Sequence, residues 1–152
     1  MSNILVISDT HHNYDLMGTI FINEPDIDTL FHLGDEHDDL DFFPEYINQK
    51  RIFSVPGLYH RDYLKQSNRL IFFTLNDWNF QLAHSPNDLD FSNIKIQVFL
   101  HGHTHKACIK DCKNYLILNP GHLKSLKDRG EYPSYILMHL DENSLTVTLK
   151  SI

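Results

Sequence analysis

The chain has 152 residues, of which 41% are hydrophobic and 22% charged, and 20 acids against 13 Lys and Arg give it a formal net charge of -7. That balance fits one domain over residues 1–152 with a real core. It excludes a broad basic face for nucleic acid, because phosphate neutralisation needs clustered Lys and Arg. The start, "MSNILVISDTHHN", has no basic n-region, and no later run approaches the roughly 20 apolar residues of a membrane span. A cytoplasmic protein without a membrane partner is expected. Cys108 and Cys112, in "CIKDC", are the only cysteines. With no second pair they read as reduced structural thiols.

In chain order, "NILVISD" reads as a strand, Leu16 to Asn23 as a helix, "DTLFHLGD" as a strand, "FFPEYINQK" as a helix and "RIFSVPG" as a strand. Such alternation implies parallel strands joined by crossovers. The second half is mostly short strands: "RLIFFTLN", "WNFQLAHS", "QVFLHGH", "KACIKDC", "NYLILNPG", "SYILMHLD" and "SLTVTLK". Asn76-Asp77 and Asp141 to Asn143 supply turn chemistry for two hairpins. The class is therefore α/β with two packed sheets. Asp35 to Asp41, "DEHDDLD", holds five acids in seven residues. Glu36, Asp38, Asp39 and Asp41 read as a solvated loop.

Four strands each end in metal-competent residues: Asp9 and His11, then Asp35, then His84, then His103 and His105. Ligands of α/β sheets collect outside the carboxyl ends of strands, and residues two apart on extended backbone share a side. Any one of these side chains alone is better explained as a turn residue or helix cap. Six from four strand ends point to a shared metal site. Two aspartates and four histidines without cysteine suit manganese, iron(II), zinc or nickel rather than an all-oxygen calcium site. Six donors exceed one tetrahedral ion and suit two divalent ions about 3.5 to 4 Å apart, the arrangement that polarises phosphoryl oxygens and generates a bound hydroxide. His32 and His139 lie inside apolar strands and read as satisfied, partly buried imidazoles. His101 reads as strand support, and His12, His37, His60 and His122 as loop residues within reach of a substrate.

The ordered set "DTH", "GD", "PG", a later lone His, "GHTH" and "NPG" resembles the calcineurin-like metallophosphoesterases, most closely their small single-domain phosphodiesterases, from Ile4 to Lys150. The resemblance implies a four-layer αββα sandwich of two mixed sheets flanked by helices. It implies that Asp9, His11 and His105 hold a first metal, that Asp35 bridges, and that His84 and His103 hold a second, manganese being the first choice. The family's "GN" reads "GLYH" here, so Leu58 stands where an Asn ligates and leaves the second site one donor short unless His60 joins it. Tyr59 replaces a phosphate-contacting His, so His60, Tyr59 and His12 are the candidates for the leaving-group proton. His122 follows "NPG" where a small hydroxyl residue is usual, near the substrate rim. The implied function is hydrolysis of a small phosphate ester, such as a nucleotide, by a metal-bound hydroxide. The alternative is a catalytically weakened scaffold of the same fold that binds protein partners. Monoester against diester, and assembly into homo-oligomers, stay open.

Overall fold

The computed structural model describes residues 1–152. In chain order its elements are β1 (Ser2–Ile7), α1 (Tyr14–Asn23), β2 (Thr29–His32), α2 (Pro44–Ile47), β3 (Arg51–Ser54), β4 (Leu70–Leu75), β5 (Trp78–Ala83), β6 (Val98–Leu100), β7 (Cys108–Asp111), β8 (Leu116–Asn119), β9 (Ser134–Leu140) and β10 (Leu145–Ser151). Five strands form one sheet in the order β10-β9-β1-β2-β3, and five form a second in the order β4-β5-β6-β8-β7. In the first, β1, β2 and β3 are parallel and β9 and β10 antiparallel. In the second, β5, β6 and β8 are parallel and β4 and β7 antiparallel. Both sheets are thus mixed, as the family resemblance implies. No helix is long and apolar enough to cross a membrane.

The period-2 alternation of β1 explains the layering. Ile4 and Val6 face the second sheet and join Phe31, Leu33, Phe80, Leu82, Val98 and Leu100 in the main core. Leu5 and Ile7 face the opposite way, onto Met17, Ile20 and Phe21 of α1. Those three residues recur at i, i+3 and i+4, which gives the helix one apolar stripe. The Asn13 side chain caps it by accepting from the Leu16 N–H at 3.3 Å. Phe31 sits at the centre of the core, with the rings of Phe53, Phe73 and Phe80 at 5.4 to 5.6 Å. Its full burial contributes about 2 to 3 kcal/mol.

The helical layers are thinner than the sequence suggests. The stretch read as a helix from "FFPEYINQK" yields only the four-residue α2, preceded by a 3-10 turn at His37–Phe42. Outside the second sheet, Ala83 and Phe99 are covered by Leu89 and Ile96 from the connection between β5 and β6. That segment holds a 3-10 turn, Pro86–Asp88, and no α-helix. Its short polar side chains take over the backbone donors a helix would use: Ser85 Oγ accepts from Asn87 N, Asp90 Oδ1 from Ser92 N and Asn93 Oδ1 from Lys95 N. Such local bonds compete with helix formation. Asn76 and Asp77 make the two-residue turn between β4 and β5, both at positive φ, as a type I′ hairpin requires. Cys108 and Cys112 are free.

Candidate metal centre and its comparison with known proteins

The six parallel strands place their carboxyl-end loops around one cleft. Asp9 follows β1, Asp35 follows β2, His84 follows β5, and His103 and His105 follow β6. Asp9, His11, Asp35 and His105 each offer one donor atom within 4.8 Å of the others. Asp35 also joins His84, whose Nε2 stands 3.0 Å from Asp35 Oδ1, and the His103 ring lies 5.2 Å from that of His84. The structure therefore brings Asp9, His11, Asp35 and His105 into one group, with His84 and His103 on the far side of Asp35.

The backbone is bent to achieve this. Asp9, His11, His12, His103 and His105 all have φ between 46° and 64°. For residues other than glycine such left-handed conformations cost about 1 to 2 kcal/mol each, and concentrated strain of this kind marks functional sites. Asp9 is clamped: its Oδ2 accepts from Ser8 Oγ at 2.6 Å and from His103 N at 2.9 Å. Gly102 permits that closure, since a Cβ there would run into Ser8 Oγ and the Asp9 carboxylate. Gly57 plays the same part behind Asp35, where a Cβ would strike the Asp35 backbone.

The hydrogen bonds leave the inward atoms open. His84 Nδ1 lies 2.6 Å from the Leu33 carbonyl oxygen, so it carries the proton and Nε2 carries the lone pair. His105 Nδ1 lies 2.5 Å from Asp128 Oδ2, which fixes the same tautomer. His105 Nε2 then faces Asp9 Oδ1 at 3.2 Å, and His11 Nε2 faces Asp35 Oδ2 at 2.7 Å. Asp9 Oδ1, His11 Nε2 and His84 Nε2 are all buried without a hydrogen-bond partner. Nitrogen lone pairs aimed at carboxylate oxygens repel unless a cation lies between them. The donor set fits a divalent ion on that ground, with nitrogen and oxygen donors of the type that transition metals take.

Electrostatics give the same reading. Burial raises the Asp35 carboxyl, but the contacts from His11 and His84 overcome it and hold the group well below the usual carboxylate range. Burial lowers His84, and the Asp35 contact with the Asp9 charge reverses this and raises it. The Asp9 contact raises His105 against burial, with help from Asp128. His103 is lowered by burial and by the charge of His84. Carboxylates that make His84 and His105 more basic attract cations, whether protons or metal ions.

Two carboxylates with evident roles escape sequence reasoning. Asp128 orients His105 and is itself held by Lys124 at 3.0 Å. The Asp39 side chain, expected in solvent, is only 1% exposed. It accepts from Thr10 Oγ1 at 2.7 Å and His12 N at 3.0 Å, and pairs with His12 Nδ1 at 2.6 Å. The one available sign of Asp128 was the turn chemistry of "KDRGE"; the acidic run concealed Asp39.

Other expected positions fall differently. Tyr59 is 96% exposed. His60 turns away from Asp35: its Nδ1 accepts from Asp62 N at 3.2 Å and its Nε2 stands 3.2 Å from Asp38 Oδ2. His37 packs against His60 with ring centroids 4.5 Å apart. His122 is fully buried behind His105 rather than at a rim, its Nε2 near the Glu131 carbonyl oxygen at 3.2 Å. His32 is completely buried with Nε2 unpartnered, and His139 is exposed and paired with Asn3 at 2.6 Å, so neither is a satisfied, partly buried imidazole. His101 supports the strand end through Gly102 O at 3.0 Å.

This arrangement has relatives. Residues 2–143 match the family model described as the calcineurin-like phosphoesterase superfamily domain. A protein of Methanocaldococcus jannaschii named as a probable metallophosphoesterase is 29% identical over 129 residues, which take in 76% of this chain and 65% of the relative's length. Among solved structures, a single mutant of Vps29 from Entamoeba histolytica superposes with a TM-score of 0.73 at 19% identity, covering 98% of this chain and 92% of that one. A structure described as a novel archaeal phosphodiesterase gives a TM-score of 0.73 at 22% identity, covering 97% and 99%. The two structural likenesses show the fold, two mixed sheets with few helices. The family match takes in every strand except β10 and every strand-end donor, and by it the chain belongs to the calcineurin-like phosphoesterase superfamily.

Proposed function

We propose that the chain is a metal-dependent phosphoesterase acting on small phosphate esters, phosphodiesters first, with a dinuclear centre whose second position is weakened. The observation that carries this reading is the convergence of Asp9 Oδ1, His11 Nε2 and His84 Nε2, buried and without a hydrogen-bond partner, on one cleft where a divalent cation would balance them. Asp9, His11 and His105 would hold one ion, Asp35 would be shared, and His84 and His103 would hold the other. Bound divalent ions would supply charge neutralisation for the phosphoryl oxygens and a lowered pKa for water. Manganese is the first candidate for these nitrogen and oxygen donors.

The chain's own residues supply the rest. Asp128 and the Leu33 carbonyl fix the tautomers that turn Nε2 of His105 and His84 inward. Asp39 holds a proton on His12 Nδ1, and the hydrogen bond to this carboxylate raises His12 above its ordinary value. The His12 side chain is 60% exposed, so the ring can meet a leaving-group oxygen at the mouth. His60 has both ring nitrogens engaged, and Tyr59 projects into solvent. Of the three candidates for the leaving-group proton, His12 is therefore the best placed.

The second reading is a weakened scaffold that binds protein partners, favoured by one observation: Leu58, in the loop after β3, offers no donor. Turnover of a chromogenic phosphodiester with and without Mn²⁺ separates the two. The enzyme reading expects metal-dependent hydrolysis that Asp9→Asn reduces at least a hundredfold. Tight metal binding without turnover would leave the scaffold. Leu58→Asn should tighten the second ion, and an unchanged stoichiometry and rate would overturn this reading of the loop.

A further inference from the structure

We propose that His37, His60 and Asp62, with Asp38 orienting His60, form a separate rim site for a zinc-type cation. The four side chains come from two turns. His37 and Asp38 open the turn His37–Phe42 after β2, while His60 caps and Asp62 lies in the turn Arg61–Leu64 after β3. None belongs to the Asp9–His105 group, and His37, His60 and Asp62 form their own set with one donor atom each within 4.8 Å of the others.

The separations favour a shared ion over direct bonds. Asp62 Oδ2 stands 3.8 Å from His37 Nε2 and 3.6 Å from His60 Nδ1. Both exceed the 2.7 to 3.2 Å of an ordinary N–H···O bond. Two donors each about 2.0 to 2.1 Å from a tetrahedral zinc ion stand roughly 3.3 Å apart, which a small side-chain shift reaches from here. Asp38 Oδ2 takes the Nε2 proton of His60 at 3.2 Å, which turns the Nδ1 lone pair toward Asp62, where it accepts only the long 3.2 Å bond from Asp62 N. His37 Nδ1 is buried without a partner, so the ring lacks the hydrogen bonds that would explain its half-burial. Two imidazoles and one carboxylate are donor types zinc accepts, with water in the fourth position. An ion there would clip the loop that carries Asp35 to the loop that carries Leu58.

The test is metal stoichiometry on the full chain, stripped with chelator and reloaded with Co²⁺, read by elemental analysis and by the visible absorption of tetrahedral cobalt. In the otherwise native chain, His37→Ala is expected to remove one ion equivalent, and Asp62→Asn, an exposed change that spares the fold, the same one. In a chain carrying Asp9→Asn and His105→Ala, one cobalt with tetrahedral absorption should remain and should vanish when His37→Ala is added. An unchanged count in both single variants, or no retained ion in the Asp9→Asn/His105→Ala chain, would overturn the rim site. A chain that binds only the ion removed by His37→Ala would uphold the rim site while overturning the metal reading of the Asp9–His105 group.

Discussion

Asp128 decides which nitrogen of His105 faces the cleft, because a carboxylate bound to Nδ1 leaves the Nε2 lone pair pointing inward. Its own carboxyl is lowered to about 2, first by the His105 contact and then by Lys124, so it stays ionised across the working range. Loss of such a partner typically weakens metal binding 10- to 100-fold. Asp128→Ala should therefore reduce Mn²⁺ affinity by that factor in calorimetric titration while the melting temperature moves little, since the loop lies at the surface. An equal loss of affinity and stability would make Asp128 a structural residue instead. Asp39 acts comparably on His12. With His12 raised by Asp39, a proton-donor role predicts a rate that falls as pH rises through the raised value. Asp39→Asn should move that alkaline limb to lower pH, and His12→Gln should abolish it. A profile unaffected by both changes would remove His12 from the chemistry.

At the scale of elements, the β4–β5 hairpin is held by a turn whose second residue, Asp77, sits at φ 64°. Glycine adopts that conformation without steric cost, whereas other residues lose about 1 kcal/mol or more. Asp77→Gly should raise the urea midpoint by an amount equivalent to about 0.5 kcal/mol after the added freedom of the unfolded chain, and Asp77→Val should lower it. This turn was legible in the sequence because Asn76-Asp77 sits between two apolar runs and the information is local. The strand-end donors were legible for the same reason: Asp9 and His11, or His103 and His105, announce themselves beside the strand that positions them. Asp39 and Asp128 were not, since their partners lie 27 and 23 positions away and only the folded loops bring them together. The helical layer that the family resemblance implies outside the second sheet is replaced from Ser85 to Gln97 by an irregular segment, because Leu89 and Ile96 supply apolar cover while Ser85, Asp90 and Asn93 bind the backbone locally.

For the whole molecule, the histidines pull stability in opposite directions as pH changes. His84 and His105 are raised by neighbouring carboxylates, so their contribution in the metal-free chain is complete below the unfolded value near 6.5 and is lost as pH rises through their folded values. His32 does the reverse. Buried at the end of β2, on the face it shares with Leu30 and opposite to that of Phe31 and Leu33, it is lowered to about 4, with desolvation as the main cause. Between about 6.5 and 4 the unfolded chain binds a proton that the folded chain refuses, so stability falls as pH falls through that window. A gap of this size corresponds to about 3 kcal/mol once both states are protonated. His32 Nδ1 accepts from Gly34 N at 3.2 Å, directly before Asp35, so acid unfolding should begin where β2 meets the cleft. His32→Asn keeps an acceptor for that N–H and removes the titration. Urea unfolding of the metal-free protein at pH 7 and pH 4.5 should show the native chain losing about 2 to 3 kcal/mol more than the variant. Parallel losses in the two proteins would assign acid sensitivity to the carboxylates of the cleft instead of to His32.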